Sequence, residues 1–67
     1  MKTFGENLKN ERIMAGYSQK AFAKKLNTTQ QRVSEWECNK VEPTLTNIIA
    51  IVRILCVSFE DLTDGVK

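Results

Sequence analysis

Four polar side chains that could form hydrogen bonds to nucleotide bases occur within one short stretch of the chain. They are Gln30, Gln31, Ser34 and Glu35. At 3.6 residues per turn, three of the four cluster on one arc of a helix, while Val33 and Trp36 fall within about 60° of each other on the opposite side. Gln can pair with an adenine edge and Glu can accept a hydrogen bond from cytosine. The stretch therefore predicts a helix with base-contacting groups on one side and a core-facing opposite side.

Plainer interpretations apply to the same residues. A glutamine pair in an arbitrary helix is usually solvated surface, and only the neighbouring turn, cap and charge favour base contact here. Trp36 shares a side with Val33 and is predicted to be core rather than a stacking platform. Lys24 and Lys25 are interpreted as solubilising surface residues. Arg32 could reach a phosphate or solvent equally well.

The residues before this stretch predict the element that would position it. Ser18 is a favoured N-cap for a helix over residues 19–26, and Asn27 tolerates the left-handed conformation that a tight turn needs. Thr29 then caps a helix over residues 30–37. The two short helices and their turn predict a helix-turn-helix over about residues 18–37.

The remaining segments also predict helices, and none predicts a strand. Helix one is expected over residues 2–14, ended by Gly16, with Phe4, Leu8 and Ala15 inward. Asn39 and Pro43 end the third helix. Thr44 starts a fourth helix whose apolar stripe excludes Ile51 and Ile54. The predicted stripe consists of Leu45, Ile48, Ile49, Val52, Leu55 and Cys56.

A capping arrangement of Ser58 and Asp61 predicts a short fifth helix that carries Phe59 and Leu62. Every connection is short, and the chain has no repeats or linkers. We expect an all-α fold: one compact five-helix domain over residues 1–67.

Composition excludes several classes of protein. Hydrophobic residues make up 42% and charged residues 27% of 67 residues, without an apolar run long enough for a bilayer or a signal peptide. A cytoplasmic protein without membrane contact is expected. Cys38 and Cys56 lack metal-ligand spacing, and the chain has no His, so two free thiols and no metal or other cofactor are expected. Without His or a Gly-rich phosphate loop, enzymatic activity is not expected.

Charge is unevenly distributed along the chain. Residues 1–40 hold eight Lys and Arg against four Glu, a balance of +4, whereas residues 41–67 hold two against four acidic residues, a balance of −2. Basic charge around the helix-turn-helix would neutralise DNA phosphates. On charge alone, an ordinary solvated surface explains the pattern as well.

Taken together, the residues at these spacings resemble the Cro/CI-type (XRE) helix-turn-helix family, and the Thr-Thr-Gln-Gln run resembles lambdoid phage repressors. The resemblance covers nearly the whole chain. It is carried by Leu8, Arg12, Gly16, Ser18, Gln19, Phe22, Ala23, Leu26, Thr28, Thr29, Gln30, Gln31, Val33, Ser34, Trp36, Glu37, Lys40, Pro43, Val57, Ser58 and Phe59.

The resemblance implies a lambda-repressor-like fold and assigns roles to particular residues. Gln19 matches a glutamine that braces against the DNA backbone, and Arg12 and Glu37 match a buried ion pair between the first and third helices. Base contacts are expected from Gln30, Gln31, Ser34 and Glu35. Phosphate contacts are expected from Ser18, Gln19, Thr29, Arg32 and Lys40.

Three positions depart from the family pattern. Cys38 replaces an Asn that can bond to phosphate, so that anchor is expected to be weakened. Asn39 replaces the usual Gly. The negative charge of Glu35 restricts which bases could face it, and cytosine is one candidate.

The expected function is sequence-specific binding of double-stranded DNA by a transcription regulator, most simply a repressor that occludes a promoter. Two copies are expected on a two-fold operator with half-sites about 34 Å apart, and no small-molecule ligand is expected. Candidate dimer contacts are Ile54, Val57, Phe59 and Val66. Packing of helix five on helix four explains these four residues nearly as well. The alternative function is a protein-interaction module, such as the antitoxin of a toxin-antitoxin pair.

Overall fold

Five helices and no strand form the part of the chain that the computed structural model describes, residues 2–66. The helices are α1 (Phe4–Met14), α2 (Gln19–Lys25), α3 (Gln30–Glu37), α4 (Leu45–Leu55) and α5 (Phe59–Thr63). Helix α2 packs against α3, and α1 packs against both α3 and α5. The predicted all-α five-helix fold is confirmed.

Every helix starts at a Ser or Thr whose side-chain oxygen accepts a hydrogen bond from a backbone N–H three residues later, which satisfies one of the free amides of the first turn. The five N-caps are Thr3, Ser18, Thr29, Thr44 and Ser58. Ser58 and Asp61 form the predicted reciprocal capping box. Because Thr3 is a cap, α1 begins later than the sequence suggested, and Ala15 lies beyond its end and is exposed rather than inward.

Three of the turns that separate the helices use the left-handed backbone conformation at residues expected from the sequence, and Cys56, with φ of 56°, adopts it after α4 without having been predicted to. Gly16 has φ of 86°, Asn27 58° and Asn39 62°. Glycine and asparagine adopt this left-handed conformation at the lowest conformational energy cost. These three residues therefore end α1, α2 and α3 within one or two residues and keep the connections short.

The core lies between the helices and includes residues from each of them. The fully buried side chains are Leu8, Phe22, Val33, Trp36, Ile51 and Leu62. Asn7 ties α1 to the end of α5, because its Nδ2 donates to the carbonyl oxygens of Leu62 and Asp64, both at 2.9 Å. No helix among residues 2–66 has the length and hydrophobicity needed to cross a membrane.

The predicted inward face of α4 is only partly confirmed: Leu55 is buried and Val52 packs against the core, but three other positions of the stripe are exposed. Ile51, placed off the stripe by the sequence, is completely buried, whereas Leu45 is 72% and Ile49 42% exposed. Cys56 is also exposed, and Ile54 packs against the core. The true inward face is centred on Ile51 and lies about a quarter turn from the predicted stripe. Apolar residues surround α4 on most sides, so their spacing alone did not determine which side faces the core.

Candidate nucleic-acid interface

Helix α3 exposes its first residues and buries the opposite side. Gln30 and Gln31 are exposed, whereas Val33 and Trp36 are 0% and 1% exposed. Trp36 is therefore core, as predicted from its side of the helix. The first turn of α3 thus presents two amide groups to solvent, while the buried side of the helix packs in the core.

The remaining candidates for base or phosphate contact surround this exposed end. Ser34 and Glu35 are half-buried, and Arg32 is exposed. The hydroxyl of Thr29 accepts the backbone N–H of Arg32 at 3.1 Å, which leaves the hydroxyl hydrogen free to donate. Besides the two glutamines, α3 therefore exposes Arg32 and parts of Ser34 and Glu35.

A buried ion pair fixes the other end of α3 to α1. Nε of Arg12 lies 2.6 Å from Oε2 of Glu37, and Nη2 donates to Oε1 at 3.2 Å. The two side chains are only 8% and 3% exposed. Nη1 of Arg12 also donates to the carbonyl oxygen of Tyr17 at 2.7 Å. The two residues that the resemblance paired thus meet in a bidentate contact, which the loop after α1 helps to orient.

Gln19 is expected to brace against the DNA backbone, but its side chain forms a hydrogen bond within the protein. Its Nε2 donates to Oε1 of Glu37 at 3.0 Å, and the side chain is half-buried. A side-chain amide has two N–H donors, so one N–H group remains for a phosphate. The sequence did not predict the link to Glu37, which holds the start of α2 against the end of α3.

A second unpredicted contact joins the first turn of α1 to the end of α3. A Cβ on Gly5 would lie 2.4 Å from the carbonyl oxygen of Glu37 and 2.7 Å from that of Trp36. Asn39 bridges the two elements: its Oδ1 accepts the N–H of Gly5 at 3.0 Å, and its Nδ2 donates to Oγ1 of Thr3 at 2.9 Å. The sequence offered one signal for this contact, an Asn where the family usually has Gly.

The other predicted phosphate contacts lie on the surface. Lys40 follows α3 and is exposed, and Ser18 is exposed while its hydroxyl caps α2. Cys38, where the family often has Asn, is an exposed free thiol, as is Cys56. A thiol is a weak hydrogen-bond donor, so position 38 offers little to a phosphate.

An open depression of about 670 Å³ lies between α2 and the start of α3. We call it the α2 cleft. Its polar lining is Ser18, Lys20, Lys24, Asn27, Thr28 and Gln30. The α2 cleft was not predicted from the sequence, where Lys24 was grouped with Lys25. The four-residue spacing of Lys20 and Lys24 nevertheless indicates that these two lysines share a helix face.

The four candidate dimer contacts fall into two groups. Ile54 and Val57 are half-buried and pack against the core, in agreement with the packing alternative. Phe59 and Val66 are 56% and 38% exposed. Both line an open groove of about 410 Å³ beside Phe4.

Comparisons with known proteins agree with this architecture. The chain is 40% identical over 62 residues to the SPbeta prophage-derived HTH-type transcriptional regulator YonR of Bacillus subtilis (strain 168). That match covers 92% of this chain but 57% of the relative, so the chain spans little more than half of the relative's length.

A solved structure of the P22 c2 repressor, bound to the synthetic operator 9T in the presence of Tl⁺, superposes with a TM-score of 0.88. Sequence identity is 26%, and the match covers 97% of this chain and 98% of the repressor chain. A model of the helix-turn-helix family matches residues 8–62, which include the whole of α2 and α3. The chain therefore belongs to the helix-turn-helix family, of the Cro/CI type that its sequence resembles.

Proposed function

We propose that this protein is a transcription regulator that binds a specific double-stranded DNA sequence and represses transcription by occluding a promoter. One observation supports the proposal above the others. Gln30 and Gln31 are exposed at the capped start of α3, while the opposite side of the same helix is buried against the core. A helix held in this way can enter a major groove with its amides at base edges.

In the proposed complex, residues outside the groove bind the backbone and set the register of α3. Gln19, through its remaining N–H, and Lys40, in the loop after α3, would hold phosphates. Ser18, Thr29 and Arg32 add donors next to the start of α3. Glu35 would accept a hydrogen bond from cytosine, and its charge disfavours a position near phosphate.

We further propose that two copies bind a two-fold operator. One small domain contacts few base pairs, and genomic specificity requires more of them. The exposed Phe59 and Val66 support a contact between copies, whereas Ile54 and Val57 pack against the core of the domain. The distance between half-sites would be about 34 Å, one turn of the duplex.

The relatives favour this function over the antitoxin alternative, because one is named as a transcriptional regulator and the other is a repressor solved with operator DNA. Their family and fold are those of DNA-binding regulators rather than enzymes. A regulator of transcription in a bacterial or phage setting would work in the cytoplasm.

Selection of bound fragments from random duplexes tests the proposal and yields the operator at the same time. We expect a two-fold consensus whose duplex binds at least a thousandfold more tightly than a scrambled duplex at physiological salt, in keeping with other specific regulators. Enrichment of no sequence, or equal affinity for the selected and scrambled duplexes, would contradict sequence-specific binding.

A further inference from the structure

The α2 cleft is a positively charged depression without negative charge in its walls. Lys20 and Lys24 lie one helical turn apart on α2, and no Asp or Glu lines the cleft. None of the ion pairs formed among residues 2–66 includes either lysine. Both lysines are exposed, so two side chains that carry uncompensated charge line the same space. Such an arrangement concentrates positive potential and attracts an anion.

The other walls of the cleft suit a phosphate oxygen. Ser18, Asn27, Thr28 and Gln30 contribute hydroxyl and amide groups that can donate hydrogen bonds. Two alanines supply the rest of the lining, so no large side chain fills the space. The cleft therefore combines charge, neutral donors and room for a ligand.

Gln30 connects the cleft to the proposed base-contacting surface. It is the first residue of α3 and at the same time a wall of the cleft. A DNA strand whose base lies against Gln30 necessarily carries its phosphates along the edge of the major groove, beside α2. The occupant of the cleft is thus expected to be part of the same strand.

We propose that the α2 cleft binds phosphodiester groups of the operator strand next to the bases that α3 contacts, with Lys20 and Lys24 as its cationic ligands. This inference rests on the proposed function and adds Lys20 and Lys24, which are not among the sequence-predicted phosphate contacts, to Ser18, which is one of them. It also separates Lys24 from Lys25, which does not line the cleft.

The salt dependence of operator binding tests this site. The variant Lys20→Gln/Lys24→Gln removes both cleft charges, and the control Lys9→Gln/Lys25→Gln removes two charges from exposed lysines outside the cleft. Each phosphate contact contributes about 0.9 to the slope of log affinity against log salt, so the cleft variant should lose about 1.8 from that slope for each copy bound to the operator. The control should lose less than half as much. Thermal melts of both variants should match that of the unchanged protein.

The loss should also be similar on the selected and scrambled duplexes, because phosphates carry no base identity. If the slope and affinity of the cleft variant equal those of the control, the proposal is wrong. The cleft would then be a binding site for another partner, such as an acidic protein surface. Failure of the proposed function would look different: the unchanged protein itself would bind both duplexes equally, whatever the lysine variants do.

Discussion

Glu37 accepts a hydrogen bond from Gln19 at 3.0 Å while it is paired with Arg12. One carboxylate, 3% exposed, thus joins α1, α2 and the end of α3. The start of α2 and the end of α3 therefore cannot move independently, which fixes the geometry of the helix-turn-helix from within.

Replacement of Arg12 by Met should strongly destabilise the fold. The change leaves a buried carboxylate with Gln19 as its remaining partner, a loss of about 3–5 kcal/mol of unfolding free energy. Urea denaturation followed by circular dichroism measures the effect. The control Lys2→Ala breaks an exposed 3.8 Å pair with Asp64 and should cost less than about 1 kcal/mol. Equal effects of the two changes would contradict the prediction.

Substitutions at Asn39 should separate its backbone role from its side-chain role. Ala loses both side-chain bonds and strains the positive φ, whereas Gly loses the bonds without strain. Each bond contributes about 0.5–1.5 kcal/mol, and the left-handed conformation costs Ala about 1–2 kcal/mol. Unfolding free energies should decrease in the order Asn, Gly, Ala. A Gly variant more stable than the unchanged protein would show that the bonds to Gly5 and Thr3 contribute little.

Replacement of Gln30 or Gln31 by Ala should relax the preference for one base pair in each half-site. The expected cost is about 1–3 kcal/mol on the selected duplex and much less on a scrambled one. Lys40→Ala serves as the control and should weaken binding to every sequence by a similar amount. Fluorescence anisotropy on duplexes that differ at single positions distinguishes the two patterns. A uniform loss for the Gln variants would show that these amides do not contact bases.

Phe59→Ser should prevent association of two copies without unfolding the domain. The ring is 56% exposed, so its removal costs the monomer little, whereas a contact between copies would lose its largest apolar group. Sedimentation at micromolar protein, with and without operator, measures the association. Leu62→Ser, at a buried position of the same helix, should instead lower the melting temperature. Monomers of the unchanged protein under both conditions would refute the dimer.

The helix-turn-helix was predictable because its signals are local. Ser18, Asn27 and Thr29 act within one or two turns of the chain, and the left-handed and capping geometries they favour are those observed. The buried side of α3 could be predicted from the 3.6-residue period, because the apolar residues of this helix lie close together on one side. Local chemistry therefore sufficed for the element that carries the proposed function.

What the sequence left undetermined depends on how the helices pack. The inward side of α4 depends on how that helix packs against the rest of the core, because apolar residues occur on most sides of it. The link from Gln19 to Glu37 and the α2 cleft join residues on different elements. Such groupings depend on crossing angles between helices, which residue spacing along one helix does not encode.

The contact of Gly5 with the carbonyl oxygens at the end of α3 spans more than thirty positions of the chain. The position of α3 therefore depends on a close approach of backbone from the first turn of α1. A side chain added at Gly5 should consequently alter operator recognition from a distance, even if residue 5 never touches a nucleotide.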